Sequence, residues 1–317
     1  MHTQLVSWPD GISTIDTHYV RPGKAASHLM IEGGKAAFID VGTTHSKDYL
    51  LDAVRQHNLT PDDVRYIIVT HIHLDHAGGA GILMKEWPKA TLVVHPKGVQ
   101  HMIQPEKLIQ ASIDIYGKEL YKRRYGEIPI IPKDRIMTVE DDGTLDFQGR
   151  KLKFLDTPGH ARHHFCVWDE TSSSFFTGDT MGAAYHELQQ DGKPPFLIPT
   201  TTPAAFEPDK LIDSIRKLLS YQPKRFYLTH FGPVDYHPQT VQLLVDLVSA
   251  HATIGKEAEP SLDSDIQEKI ANLLIQAYRN HNGRNDDCLW VGDFLKNDIN
   301  LNATGVRVWA ERSRRGG

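Results

Sequence analysis

The chain has 317 residues, 40% of them hydrophobic and 24% charged, with a formal net charge of −5 at neutral pH. That length buries a large core and predicts one large domain with a smaller appendage. The slight acidity weighs against a nucleic-acid or anionic-membrane partner.

Residues 12–20 and 26–41 read as short strands. Within the second stretch Glu32-Gly33-Gly34-Lys35 turns His28-Leu29-Met30-Ile31 back on Ala36-Ala37-Phe38-Ile39-Asp40 as a hairpin. Asp40, at that strand's end, either orients a metal ligand through a hydrogen bond or caps the following turn. Residues 46–57 form an amphipathic helix with Ser46 or Thr44 near its N-cap. Thr60-Pro61-Asp62-Asp63 then turns the chain into Val64-Arg65-Tyr66-Ile67-Ile68-Val69, whose β-branched and aromatic content predicts a buried strand.

The stretch that follows is Thr70-His71-Ile72-His73-Leu74-Asp75-His76, with Ala77-Gly78-Gly79 after it. Three histidines and a carboxylate in six positions make a metal-binding cluster. Imidazole and carboxylate ligands suit zinc, with iron or manganese as alternatives. A strand before the cluster and a helix over 80–87 after it place it at a strand's C-terminal end, where α/β folds set their chemistry.

Residues 90–94 form another strand, ending at His95, which reads as structural. Residues 97–125 are predicted helical, and Lys118, Lys122, Arg123 and Arg124 read as a solvated face rather than a contact to an anionic substrate group. Strands resume over 135–139 and 151–156, the latter leading into Thr157-Pro158-Gly159-His160. Residues 173–177 lead into Gly178-Asp179-Thr180, and 224–228 into Thr229-His230-Phe231-Gly232. With the first cluster the pattern occurs four times: an apolar run, a metal-type residue at the strand's C-terminal end, and glycine close by. Four such ends point to one convergent site.

Residues 181–206 read as a long loop on which Tyr185, His186 and Phe196 are candidate pocket residues or plain anchors. From Pro238 the signal turns helical, over 239–252, 264–279 and 293–312, and the tail over 312–317 is expected to be disordered. The expected division is a catalytic domain over 1–237 and a helical extension over 238–317. Ile266, Ile270, Leu273 and Leu274 make a stripe that must bury, as packing or as a cover for the site's mouth.

Taken together, His71-x-His73-x-Asp75-His76, His160, Asp179 and His230 resemble the metallo-β-lactamase superfamily over residues 10–235. The Thr-Pro-Gly-His and Thr-Gly-Asp-Thr contexts are similar to its glyoxalase II and lactonase side. The resemblance implies an α/β fold, a four-layer αββα sandwich with the site at one edge of the two sheets and a helical C-terminal extension. It implies that His71, His73 and His160 hold one metal, that Asp75, His76 and His230 hold a second, and that Asp179 bridges them. Two Zn2+ ions are the expected cofactors, with Fe or Mn as alternatives. The implied activity is a dinuclear hydrolase that directs a metal-bound hydroxide at a small ester, thioester or lactone, with Asp75 as catalytic proton shuttle. The alternative is a ligand-binding, regulatory or diiron redox protein on the same fold. The lactonase pattern is similar in having a tyrosine shortly after the bridging aspartate; here the nearest is Tyr185, beyond Gly182-Ala183-Ala184. His163 and His164 read as structural.

Cys166 and Cys288 form neither a CxxC pair nor a disulfide framework, and read as reduced, buried thiols. Residues 1–10 lack the basic and apolar regions of a signal peptide. No apolar stretch approaches the ~18–20 residues that span a bilayer. A cytoplasmic protein with a small-molecule substrate, and no nucleic-acid or membrane partner, is expected.

Overall fold

Two runs of strands, each apolar on the side that faces the other, account for most of the core. The computed structural model describes residues 3–203, 205–258 and 263–315. The first run is β1 (Leu5–Trp8), β2 (Ile12–Asp16), β3 (Ala26–Glu32) and β4 (Lys35–Ile39), then helix α1 (Lys47–Gln56) and β5 (Val64–Ile68). Helices α2 (Leu74–Ala77) and α3 (Ala80–Glu86) lead to β6 (Thr91–Val94). After it come α4 (Val99–Ile103), α5 (Glu106–Tyr116) and α6 (Lys118–Tyr125), and β7 (Ile136–Thr138) ends the run. These strands form a seven-stranded sheet in sequence order. Its first four strands pair antiparallel, and β4 through β7 pair parallel, because helices carry each of those crossovers.

The second run is β8 (Thr144–Phe147), β9 (Arg150–Asp156), β10 (Phe165–Asp169) and β11 (Ser174–Ala183), then α7 (Pro208–Leu219), β12 (Arg225–His230) and β13 (Gly232–Asp235). It makes a six-stranded sheet in the order β13-β12-β11-β10-β9-β8. Helices α8 (Pro238–Glu257), α9 (Asp263–Asn282), α10 (Leu289–Phe294) and α11 (Lys296–Arg315) complete the chain as a helical C-terminal region. Among the described residues, no helix is long and apolar enough to cross a membrane.

The chain divides into two units. The first holds the described residues up to Asp156, with His163–Gly178 and Lys224–Pro233. The second holds Thr157–Arg162, Asp179–Pro223 and the described residues from Val234 onward.

Within the first unit the two sheets meet face to face. Met30, Ala37, Ile39 and Ile68 of one pack on Phe147, Phe154, Phe165, Val167, Phe176 and Tyr227 of the other. The opposite face of the seven-stranded sheet packs Phe38, Ile67 and Leu92 against Leu50 and Val54 of α1 and Leu83 of α3. There the Trp87 ring lies flat on Phe38, with centroids 4.7 Å apart. Each such side chain contributes about 1.5–3 kcal/mol of burial, so these two layers outweigh any single polar contact in holding the sandwich.

A buried polar chain also ties the sheets together. Trp8 Nε1 donates to Thr14 Oγ1 (3.0 Å), Thr14 lies 3.2 Å from His28 Nδ1, and His28 Nε2 lies 3.0 Å from the Leu228 carbonyl. A carbonyl only accepts, so His28 carries its proton on Nε2 and receives the Thr14 hydroxyl at Nδ1.

Within the second unit α9 packs against α8, α10 and α11. Ile266, Ile270 and Leu274 of the predicted stripe are buried, while Leu273 is half-buried. At the end of α11 the Arg314 guanidinium donates to the carbonyls of Gly255 (3.2 Å), Lys256 (3.0 Å) and Ala258 (2.8 Å), at the C-terminus of α8.

The α/β sandwich with a helical C-terminal region is the expected fold, with local differences. The helix predicted over 97–125 is three helices, broken at Pro105 and at Gly117, which sits at φ +76°. The one predicted over 293–312 is α10 and α11, and α11 runs on to Arg315 through the tail expected to be disordered, because Arg314 has carbonyl partners. Residues 316–317 lie outside the described residues.

Candidate metal centre

Five of the seven predicted ligands belong to the first unit. The chain leaves β5 at Ile68 and turns through Thr70–His73 into the single-turn helix α2, whose N-cap is His73. That turn sets His71 and His76 in the interior, with Asp75 half-buried. His230 is the last residue of β12 and is also buried. One potential ligand atom from each of Asp75, His76 and His230 lies within 4.8 Å of the others. His230 Nε2 is 3.6 Å from Asp75 Oδ2, and His76 Nε2 is 4.0 Å from Asp75 Oδ1. His71 Nε2 and His73 Nδ1 are 2.8 Å apart. Ligand atoms around a tetrahedral zinc lie roughly 3.3 Å from one another, given ~2.0–2.1 Å bonds, so these spacings bracket that value.

The hydrogen bonds on the far side of each imidazole fix its tautomer. Asp40, fully buried at φ +51°, accepts from the Thr70 amide (2.8 Å), the Thr70 hydroxyl (2.9 Å), the Thr229 hydroxyl (2.6 Å) and His76 Nδ1 (2.8 Å). Burial pushes the Asp40 carboxyl up, but His76 and the donors from Thr229 and Thr70 outweigh it and hold it below the usual carboxylate value. A carboxylate only accepts, so His76 bears its proton on Nδ1 and keeps the Nε2 lone pair. His230 Nδ1 donates to the Lys24 carbonyl at 2.8 Å, with the same result. The Thr70 hydroxyl gives its one proton to Asp40, so it accepts from His71 Nδ1 at 3.2 Å, and His71 also presents a lone pair at Nε2. Outer hydrogen bonds of this kind orient ligating histidines and raise their basicity.

The other two predicted ligands belong to the second unit, and there they meet. His160 Nε2 is 3.3 Å from Asp179 Oδ2. His160 Nδ1 donates to the Thr200 carbonyl at 3.2 Å, which again leaves the lone pair on Nε2. Asp179 sits inside β11 rather than at its end, a departure from the predicted pattern. Gly178 makes the bend: at φ +46° it brings the backbone so close that an added Cβ would lie 2.4 Å from Thr70 Oγ1. A donor set of partner-fixed imidazoles and carboxylates fits one or more divalent metal ions, with chemistry that suits zinc, iron or manganese.

Other residues singled out in the sequence have different partners. His164 is buried with its ring stacked on His71, centroids 4.9 Å apart, and His163 meets the His73 ring edge-on at 5.6 Å. His95 bonds Asp156 through Nε2 at 3.1 Å and accepts the Lys97 amide at Nδ1, as a structural residue does. Tyr185 is buried and donates its hydroxyl to Asp298 at 2.8 Å, so it is engaged by α11. Lys118, Lys122 and Arg123 are exposed on α6, as expected of a solvated face, while Arg124 is half-buried with its guanidinium 4.8 Å from the Tyr116 ring centroid.

A tyrosine cluster beside Asp75 had no counterpart in the sequence reading. Tyr19 and Tyr125 hydroxyls are 2.9 Å apart, packed with Tyr121 and Leu74. Burial, and then the Asp75 charge, push the Tyr19 phenol well above its ordinary value, so it stays protonated.

Sandwiched sheets whose strands carry histidines and aspartates at or near their ends define a class of metal-binding α/β proteins. Residues 20–230 match the family model described as the metallo-beta-lactamase superfamily, and the chain belongs to that superfamily. It is 29% identical over 178 residues to a metallo-beta-lactamase fold-containing protein of Sulfurisphaera tokodaii, covering 55% of this chain and 63% of that one. It is 24% identical over 186 residues to an N-acyl homoserine lactonase of Bacillus thuringiensis, covering 59% and 62%. The chain therefore spans less than two thirds of the length of these curated relatives. Among solved structures, an archaeal superfamily protein from Sulfolobus tokodaii superposes with a TM-score of 0.64 at 23% identity, covering 94% of this chain and 98% of that one. A family protein from Thermus thermophilus gives 0.63 at 19% identity, covering 96% and 94%. At these identities the two structures establish the shared fold.

Proposed function

We propose that the protein is a dinuclear metal-dependent hydrolase acting on a small ester, thioester or lactone. The observation that carries this reading is that His71, His76, His160 and His230 are each held by a hydrogen bond at Nδ1, which makes Nε2 the coordinating atom of each ring. His71, His73 and His160 would hold one ion, Asp75, His76 and His230 a second, and Asp179 would serve both. The ions would be zinc, with iron or manganese as alternatives. When bound, two divalent ions supply Lewis acidity, acidifying a water and polarising a carbonyl. The chain's own residues do the rest. The imidazoles hold the donor geometry, and Asp40 keeps His76 aimed. Asp75 takes the proton of the attacking water as the new carbon–oxygen bond forms, then passes it to the leaving oxygen or sulfur as the old bond breaks. The lactone-directed name of the Bacillus relative supports the substrate class. The charge of −5 supports a small molecule over nucleic acid or membrane. Both cysteines are free thiols, which suits a cytoplasmic setting.

Elemental analysis of metal-loaded protein should give two ions per chain; one or none would overturn the dinuclear reading. A panel of ester, thioester, lactone, β-lactam and phosphodiester substrates should show turnover among the first three. Iron with redox activity and no hydrolysis would favour the redox alternative. Asp75→Asn should lower kcat by about 100-fold while the fold persists, because the amide takes up no proton. Unchanged kcat would remove Asp75 from that role.

A further inference from the structure

We infer that Asn302, on the C-terminal helix α11, is a positioning residue for the candidate ligand His160, acting through the Thr200–Thr201 peptide. This rests on the reading of His160 as a metal ligand.

The peptide that joins Thr200 to Thr201 is held at both of its polar ends. Its carbonyl accepts His160 Nδ1 at 3.2 Å, and its N–H donates to Asn302 Oδ1 at 3.0 Å. The Asn302 amide nitrogen donates to the Pro199 carbonyl at 2.9 Å, and the Thr201 hydroxyl donates to the Asn302 carbonyl at 3.1 Å. A peptide N–H only donates and a carbonyl only accepts, so these partners leave one orientation for the Asn302 amide. Asn302 is 2% exposed and His160 3%, so water cannot substitute for either bond.

The same short segment grips the pair elsewhere. The Thr200 hydroxyl donates to the Asp179 carbonyl at 3.0 Å, and the Thr202 hydroxyl to the His160 carbonyl at 3.0 Å. Helix α11 comes this close because residue 305 is glycine. A Cβ there would lie 2.3 Å from Thr201 Oγ1 and 2.9 Å from the Thr202 carbonyl.

The bonds therefore run in series from Asn302 to the peptide, from the peptide to His160 Nδ1–H, and across the ring to the Nε2 lone pair. Donors and acceptors aligned in this way polarise one another, so Asn302 sets the ring's rotation and supports its basicity. All ligand candidates precede residue 240, yet one of them depends on residue 302.

The test is a double-mutant cycle on the full chain, read by zinc affinity in chelator competition and by the ligand-field spectrum of the cobalt(II)-loaded protein. Asn302→Ala should weaken one of the bound ions by about 10-fold and shift the spectrum, as loss of outer support does. In a His160→Ala background the same substitution should change affinity by less than about two-fold, because the ring it acts through is gone. Gly305→Ala should act in the same direction as Asn302→Ala. If Asn302→Ala fails to fold, Asn302→Leu, which fills the space but makes neither side-chain bond, takes its place in the cycle. An equal loss in both backgrounds would mean general destabilisation and overturn the inference. So would wild-type affinity and spectrum in Asn302→Ala while His160→Ala loses an ion. If His160→Ala itself leaves both readouts unchanged, the ligand reading falls and takes the inference with it.

Discussion

Asp40 joins the ends of three separate stretches, taking donors from Thr70, Thr229 and His76 with one buried carboxylate. Asp40→Asn keeps the shape but turns one of the two acceptor oxygens into a donor that faces other donors, and should weaken metal binding by about 10–100-fold; isothermal titration with zinc checks this. The sequence left Asp40 as either an orienting group for a metal ligand or a turn cap; its hydrogen bond with His76 Nδ1 makes it a partner of that candidate ligand. The sequence held no hint of Lys24 or Thr200, because both act through main-chain carbonyls, which every residue has. A second residue-scale consequence concerns acid. Burial lowers the His28 pKa to about 4, against ~6.5 in an unfolded chain. Below ~6.5 the unfolded chain therefore binds a proton that the fold refuses. Stability should fall as pH drops from ~6.5 to about 4, by about 3 kcal/mol in all. His251, buried in α8 and also lowered to about 4, adds a loss of the same sign. Urea midpoints at pH 7 and 4.5 should differ in the wild type and differ less in His28→Gln. An equal difference in both would clear His28 of the effect.

At the scale of elements, the strands that deliver donors were legible because each is an apolar run stopped by a ligand-type residue and glycine. Some strands without that signature were not. β8 has only four residues, and β10 is an apolar run directly behind His163 and His164. The irregularity inside β11 was also hidden, because a strand that bends and continues looks in sequence like one that ends. Gly178 carries that bend beneath Thr70 and His164, where a Cβ would lie 2.4 and 2.7 Å from their side chains. Gly178→Ala adds left-handed backbone strain to a clash and should cost about 2–4 kcal/mol. Denaturant unfolding measures this, and a loss under about 1 kcal/mol would mean the strand relaxes more readily than its packing implies.

For the molecule as a whole, five of the candidate donors belong to one unit and two to the other. Ions bound only by the folded chain stabilise it by mass action, by about 4 kcal/mol at a thousandfold excess over Kd. Added zinc should therefore raise the melting temperature and a chelator should lower it, as calorimetry would show. A melting temperature indifferent to both would deny the ions any part in stability. The residue types of the centre could be read because their spacing is distinctive. The support from α11 could not: Asn302 is one polar residue in a helix, and its meaning comes from a peptide 101 positions earlier in the chain.

Arg314 lies near the end of that helix with its guanidinium committed to three carbonyls of the α8 C-terminus. A trypsin-like protease must draw an arginine into its own pocket and extend the chain around it, so cleavage after Arg314 first requires that α11 unwind and give up those bonds. Arg315, one residue on, is the exposed last residue of α11, so extending the chain about it unwinds less of the helix and leaves its own side chain the one drawn out. Brief digestion of the native protein should therefore cut after Arg315 and spare Arg314, and the intact mass of the product would report whether the last turn of α11 is closed.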